Sequence, residues 1–309
     1  MEIFLPIAHM DVNIVLIMLY GALVGFLSGL VGVGGGFLIT PLLIFTGVPP
    51  IVAVASGAAQ MAGTASGASY LHWRRGAIDF KMGLVLMLGS SLGGGFGVYA
   101  ARALLRAGQF GNAVIFLYVV LLGITGAIML VESLRANLRA ADSGIAHGAG
   151  ARKSWLRTAV ERLPWQTAFP LSGVSMSALV PIALGAAVGV LTSLMGVGGG
   201  FIMVPVMIYL LKMPTRIVVG TSLFQLLFTT AAVSVMQAGV NHSVDPILAF
   251  ILIAGSTLGT SLGIRLGARL PADRLRLILA LVMLAVAVKL VLTLLLAPDN
   301  AYDMTTELH

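Results

Sequence analysis

The stretch Ser28–Pro41, SGLVGVGGGFLITP, places four glycines within five residues of an otherwise apolar run. A nearly identical stretch, TSLMGVGGGFIMVP, occupies Thr192–Pro205. Glycine destabilises a helix interior because it loses more conformational freedom on folding than any other residue. Because the same interruption occurs in two apolar runs, it indicates a feature that the fold or the function requires.

The composition around these stretches predicts an all-α integral membrane protein. Hydrophobic residues make up 59% of the 309 residues, charged residues make up 9%, and the mean hydropathy is +1.04. A soluble domain could not cover its surface with so few charges. A helix needs about 20 apolar residues to cross a bilayer, and eight runs approach that length: Asn13–Val31, Val52–Leu71, Lys81–Ala101, Gly111–Val131, Met176–Met195, Ile217–Met236, Asp245–Leu266 and Leu275–Leu296.

The two glycine stretches belong to a repeat that covers most of the chain. ASGAAQ at Ala55–Gln60 corresponds to GTSLFQ at Gly220–Gln225, and Asp79 corresponds to Asp245. GSSLGGGFG and GSTLGTSLG follow at matching positions. The predicted units are a first transmembrane repeat (1–132), a polar cytoplasmic linker (133–175), a second transmembrane repeat (176–297) and a short extracytoplasmic tail (298–309).

The basic residues predict how the repeats are oriented. If every apolar run were a plain crossing, Lys and Arg would divide almost equally between the two sides, against the positive-inside rule. If each glycine stretch is a turn, nearly all of them lie inside, and Arg102 and Arg106 are the exceptions. The segments after the turns, Phe37–Val48 and Phe201–Leu211, are too short to span. We therefore expect two inverted-topology repeats, each with a broken Gly-rich helix hairpin and three transmembrane helices.

The glycine turns are candidate anion sites. A turn that opens a helix leaves backbone N–H groups at the positive end of the helix dipole, and glycine lets a ligand approach closely. Tight helix packing through small residues is the alternative explanation. The predicted substrate-binding glycines are Gly34, Gly35, Gly36, Gly198, Gly199 and Gly200.

Polar side chains recur at matching positions inside the apolar runs. Ser56 and Gln60 form an i, i+4 pair, as do Thr221 and Gln225, and Ser222 follows Thr221. Their hydroxyl and amide groups are predicted to bind the substrate, although hydrogen bonds between helices would equally explain them.

The charged residues within or beside the runs have separate interpretations. Asp79 and Asp245 each precede an apolar run, which predicts helix N-caps, and a carboxylate proton relay is therefore not expected. Lys289 lies inside the last run and either attracts an anion or extends its ammonium to the interface. Arg102 either caps a helix end or contributes to an anion pathway.

Several functions are disfavoured by what the sequence lacks. There is no cysteine, and the five histidines have no metal-ligand spacing, so we expect no metal and no cofactor. Neither glycine stretch fits a nucleotide-binding fingerprint. The expected partners are a small anion and membrane lipid, with no nucleic acid, and the oligomeric state stays open.

The doubled GVGGGF…P motif, the GSxLG helices and the aspartate before each of them resemble the TauE/SafE family of sulfite and organosulfonate exporters. The resemblance covers about Val12–Leu296 and implies a permease for small sulfur-containing or carboxylate anions. One departure is that Ser-Gly-Ala in the first half stands where Thr-Ser-Leu stands in the second, so the two half-sites differ chemically.

The predicted function is export of sulfite, sulfoacetate or a related organosulfonate across the cell inner membrane by alternating access. An anion channel and an uptake carrier for sulfate, thiosulfate or a carboxylate are the alternatives. A membrane enzyme is not expected, because the runs hold no cluster of His, Cys or carboxylate side chains.

The predicted topology can be tested with single cysteines, since the chain has none of its own. A cysteine introduced within Ser143–Gly150 should resist an impermeant thiol reagent in intact cells and react after permeabilisation. Labelling in intact cells would contradict the cytoplasmic position of the linker.

Overall fold

The structure, a computed structural model, describes residues 2–31, 36–141, 165–169, 171–211, 213–267 and 272–295. Its long helices coincide with the eight predicted runs. In the first half they are α1 (Ile14–Val31), α3 (Pro50–Arg74), α4 (Phe80–Arg106) and α5 (Phe110–Ala141), with a short α2 (Ile39–Phe45) after the glycine stretch. In the second half they are α6 (Leu179–Met195), α8 (Thr215–Asn241), α9 (Pro246–Gly267) and α10 (Ala272–Leu295), with a short α7 (Gly200–Pro205) that continues into a π-helical turn (Val206–Leu210).

The helices confirm an all-α membrane fold. Within the described residues, five helices are long and apolar enough to cross a bilayer, namely α4, α5, α8, α9 and α10. Two shorter apolar segments are Ile14–Leu30 in α1 and Leu179–Met195 in α6. Large apolar side chains such as Leu92, Phe96 and Phe250 are mostly exposed, as expected where lipid is the solvent.

Two small β-hairpins were not predicted. One joins β1 (Glu2–Leu5) to β2 (Met10–Asn13) ahead of α1, and the other joins β3 (Gln166–Phe169) to β4 (Val174–Ser177) ahead of α6. The second hairpin lies mostly within the segment predicted as linker, and residues 142–164 of that segment are outside the described residues. A polar side chain at the end of each hairpin accepts from the first turn of the next helix: Asn13 Oδ1 accepts from Val15 N at 3.0 Å, and Ser177 Oγ accepts from Leu179 N at 3.3 Å.

Helix α1 of the first half packs on α9 of the second half through glycines. A Cβ atom added to Gly259 would overlap the backbone carbonyl oxygen of Ala22, and one added to Gly25 would overlap that of Ser256. The close approach extends along three turns on both helices. This pattern is the small-xxx-small packing that membrane helices use when apolar burial supplies no driving force.

An equivalent contact joins α4 of the first half to α6 of the second half. A Cβ on Gly93 would overlap the carbonyl oxygen of Ala186, and one on Gly189 would overlap that of Ser90. The GSxLG helices of both halves therefore pack through their glycines. The central helices α3 and α8 pack on each other, and α5 packs on α10.

Two aspartates join the halves at helix starts, and their predicted role as N-caps is confirmed. Asp79 Oδ1 accepts from Met82 N at 3.0 Å, and the Asp79 backbone N–H donates to Thr221 Oγ1 of the other half at 3.0 Å. The second carboxylate oxygen accepts from the backbone N–H and the hydroxyl of Ser172, which lies in the second hairpin.

Asp245 repeats this arrangement. Its Oδ1 accepts from Ile247 N and Leu248 N at 3.1 Å each, and its backbone N–H donates to Ser56 Oγ at 3.0 Å. Its Oδ2 accepts from Ile7 N of the first hairpin at 3.1 Å. Each half therefore supplies a hydroxyl and a hairpin that hold the start of a helix in the other half. The two sets of contacts are equivalent. The inverted orientation of the repeats in the membrane stays a prediction.

The glycine packing predicts a position-specific cost of alanine. Gly259→Ala should lower the thermal stability of the detergent-solubilised protein by about 2 kcal/mol or more, because the added methyl group meets backbone that cannot move aside. Gly123→Ala in α5 is the matched control, since nothing lies within 4 Å of that position, and it should be neutral or slightly stabilising. Equal stability of the two variants would contradict the packing.

The link between Asp79 and Thr221 predicts a second pattern. Thr221→Val keeps the side-chain shape but leaves the buried Asp79 N–H without its acceptor, which should cost about 1–3 kcal/mol of stability. Thr221→Ser keeps the acceptor and should lose much less. Thermal unfolding of both variants measures the difference, and a Val variant as stable as the Ser variant would contradict the link.

Candidate functional site

The glycine segments lead into short helices, as the sequence predicts. Helix α2 ends before Gly47, which has a φ of 88°, and α7 follows Gly198 and Gly199, which have φ of 57° and 28°. Residues with a side chain rarely adopt such backbone conformations, so these positions favour glycine. Gly34 and Gly35 lie outside the described residues.

Two of the backbone amides predicted to bind an anion have partners inside the protein. Gly199 N–H donates to Thr192 Oγ1 at 3.0 Å, and Gly200 N–H is bonded to the carbonyl oxygen of Gly198. In this conformation the second glycine turn is therefore partly closed on itself. Substrate binding by Gly198, Gly199 and Gly200 stays a prediction.

A narrow polar cleft lies beside the first glycine segment. Its cavity volume is about 10 Å³, which is room for about one water molecule. The cleft must therefore widen before it can hold a larger ligand. It lies between α1 and α3 of the first half and α9 of the second, and its lining brings together two residues that the sequence predicts, Gly36 and Gln60. The remaining lining residues are Val24, Gly25, Ser28, Thr64 and Thr260.

Gln60 is the polar side chain in the cleft that the protein itself does not satisfy. Only 3% of the residue is exposed, and its buried Oε1 has no hydrogen-bond partner among the described residues. An unpaired buried polar atom costs free energy, so its persistence calls for an explanation. The nearby hydroxyls differ in this respect, since Thr64 donates to backbone oxygens of Gln60 and Met61, and Thr260 donates to the Gly25 carbonyl.

The equivalent residues of the second half are bonded to one another. Gln225 corresponds to Gln60, and its Nε2 donates to Thr229 Oγ1 at 3.1 Å. Thr229 Oγ1 also lies 2.5 Å from Ser90 Oγ, and Thr192, which corresponds to Ser28, bonds to the Gly199 amide. The two half-sites therefore differ at the amide nitrogen, since Gln225 Nε2 has a partner in Thr229. They are alike at the amide oxygen, because Gln225 Oε1, like Gln60 Oε1, is buried without a partner among the described residues.

The remaining predicted hydroxyls contact the protein. Ser56 and Thr221 are fully buried and accept the backbone N–H groups of Asp245 and Asp79. Ser222 Oγ donates to the Val219 carbonyl at 3.0 Å. The structure thus gives all three a structural contact, and their part in substrate binding stays a prediction.

The two predicted pathway charges lie away from the cleft lining. Arg102 is exposed near the end of α4. Lys289 is exposed on α10, with its Nζ 4.0 Å from the ring centroid of Phe45 at the end of α2. That distance is typical of a cation–π contact. Among the described residues, no group of three or more His, Asp or Glu side chains could hold a metal ion.

The sequence analysis did not single out Ser28, Thr64 or Thr260 for the cleft. Two of them carried a local signal, since Ser28 lies in the first glycine stretch and Thr64 is one helical turn beyond Gln60. Thr260 lies in the GSTLGTSLG motif of the other half, and only the packing of α9 on α1 brings it near the cleft.

Comparison with known proteins supplies independent evidence. The sequence profile described as Sulfite exporter TauE/SafE matches residues 17–290. No solved structure matches the chain significantly.

Three curated relatives cover nearly the whole chain. The chain is 27% identical over 287 residues to the probable membrane transporter protein YunE of Bacillus subtilis, covering 90% of this chain and 97% of the relative. It is 28% identical to YjnA of the same organism, covering 89% and 98%, and 28% identical to a probable membrane transporter protein of Xylella fastidiosa, covering 87% and 91%. Together with the helices and the duplicated glycine segments, these matches show that the chain belongs to the sulfite exporter TauE/SafE family of multi-pass membrane transporters.

Proposed function

We propose that this transporter exports a small sulfur-containing anion, such as sulfite, sulfoacetate or a related organosulfonate, across the cytoplasmic membrane. The observation that carries the proposal is the cleft between the halves, in which the buried amide of Gln60 lies next to Gly36. The Nε2 of that amide can donate to an anion, whereas its unpaired Oε1 is an acceptor and needs a proton donor such as water. The description of the family profile supports the substrate class.

The chemistry of the cleft suits a weakly held oxyanion. Its polar lining is neutral, with the Gln60 amide and the hydroxyls of Ser28, Thr64 and Thr260, and it includes no charged side chain. The Gln60 amide N–H can donate to sulfonate or sulfite oxygens, and donors to a charged group form the stronger hydrogen bonds. The hydroxyls of Thr64 and Thr260 must first give up their bonds to backbone carbonyl oxygens. A transport site must bind well enough to select its ligand and weakly enough to release it, and neutral donors meet both needs.

The buried carboxylates favour transport without a proton relay. Asp79 and Asp245 are 3% and 0% exposed, and their oxygens are occupied by backbone N–H groups and by Ser172. A monovalent anion that leaves a cell with a negative interior gains about 2.3 kcal/mol per 100 mV. Export down this gradient needs no coupled ion.

The proposed mechanism is alternating access. The half-site with Gln60 borders the cleft, while in the half-site with Gln225 the amide Nε2 donates to Thr229 Oγ1. In inverted-repeat transporters, rocking one repeat against the other exchanges the conformations of the two halves. We propose that the polar network around Gln225 opens as the cleft around Gln60 closes. Transport would be the sole activity, with no enzymatic step.

Flux measurements test the substrate class. Purified protein in liposomes should export labelled sulfite or sulfoacetate with saturation, and unlabelled substrate on the opposite side should accelerate the flux. Sulfate and acetate serve as comparison anions. Unitary currents would indicate a channel, a chemically altered product would indicate an enzyme, and the absence of both sulfite and sulfoacetate flux would contradict the proposed substrate class.

Gln60 provides the sharpest mutational prediction. Gln60→Leu removes no hydrogen bond within the described protein, so stability should stay equal or rise, while loss of a donor to the anion should lower its affinity roughly ten- to hundredfold. Gln237→Leu is the matched control, because that buried amide donates to the Ser193 carbonyl at 3.0 Å.

The two glutamine variants should therefore separate stability from transport. Gln237→Leu should lower thermal stability and leave the sulfite flux of the folded fraction intact. A Gln60→Leu protein with wild-type sulfite and sulfoacetate flux would remove the cleft as the binding site.

A further inference from the structure

Met61 lies between the two glycine segments. A Cβ added to Gly36 would overlap the Met61 sulfur, and a Cβ added to Gly198 would overlap the terminal methyl group and sulfur of the same side chain. Met61 is 2% exposed. One thioether side chain therefore contacts the glycine segment of each half.

Leu226 occupies the position in the second half that corresponds to Met61. It is 1% exposed, and its Cδ1 would also overlap a Cβ on Gly198. Met61 and Leu226 belong to one apolar cluster with Ala65 and Leu223, at the contact between α3 and α8. The centre of the molecule between the glycine segments is thus filled by apolar side chains.

The neighbours of this cluster along the chain are polar. Gln60 precedes Met61, and Thr64 follows it by one turn, and both line the cleft. Gln225 precedes Leu226, and Thr229 follows it, and these two are hydrogen-bonded to each other in the second half. Met61 and Leu226 therefore stand where the polar surfaces of the two half-sites would otherwise meet.

We infer that Met61 and Leu226 form an apolar partition that separates the two half-sites, and that the Met61 side chain moves aside when an anion passes. This inference rests on the proposed transport function. An anion must be hydrated or hydrogen-bonded throughout its path, and a dry apolar constriction blocks it. Methionine suits a moving partition because its side chain has three rotatable bonds and adapts its shape at low cost.

Chloride leak through the reconstituted protein tests the partition without reference to the true substrate. Liposomes containing wild-type protein and a potassium ionophore should release no more chloride than empty liposomes. Met61→Ser replaces the long apolar side chain with a short polar one that admits water, so chloride efflux should rise roughly tenfold or more. Met61→Leu keeps an apolar side chain of similar size and should stay tight.

Met283→Ser is the matched control, since Met283 is equally buried in α10 and lies next to Gly126 of α5, whereas it is not among the nearest atoms to a Cβ at Gly36 or Gly198. It should lose stability like Met61→Ser and release no chloride. Leu226→Ser provides a second variant in the partition itself, and it should leak as well.

Each outcome decides the inference. Chloride release by Met61→Ser and Leu226→Ser, with tight Met61→Leu and Met283→Ser, supports it. Tight liposomes from both partition variants, equal leak from Met283→Ser, or leak from the wild type would overturn it. If Met61→Ser does not reconstitute, Leu226→Ser decides alone. Failure of sulfite and sulfoacetate flux in the wild type would overturn the proposed substrate and leave the chloride result unaffected.

Discussion

The structure depends on backbone-to-backbone contact between helices of different halves. In lipid, apolar side chains gain little by leaving their solvent, so helices must associate through van der Waals contact and polar bonds at short range. Gly25 and Gly259 on one helix pair, and Gly93 and Gly189 on the other, supply that contact because any Cβ would overlap the opposing backbone. Neither half can make these contacts alone, so the fold requires both.

The pairing of helices from different halves also determines where the candidate site lies. With α1 joined to α9 and α4 joined to α6, helices α3 and α8 are left to meet at the centre, next to the glycine segments. The hydroxyls of Ser56 and Thr221 hold the starts of α9 and α4. The two helix pairs thus flank a centre in which the buried Gln60 Oε1 has no hydrogen-bond partner among the described residues.

Much of this arrangement follows from local sequence patterns. Apolar runs, the repeat and the aspartates before Phe80 and Pro246 predict the helices and their caps, because each depends on neighbouring residues. The hairpins were not predicted because a strand of four residues is too short to show a clear alternation of apolar and polar residues. The contribution of Thr260 to the cleft, and the contact of Met61 with both Gly36 and Gly198, depend on which helices meet, and no local pattern contains that information.

The most direct test of the account is a structure of the protein with bound sulfoacetate. We predict ligand density in the cleft, with a sulfonate oxygen within hydrogen-bond distance of Gln60 Nε2 and next to Gly36. Density at another place, or an empty cleft in protein saturated with a transported sulfonate, would contradict the assignment of the site.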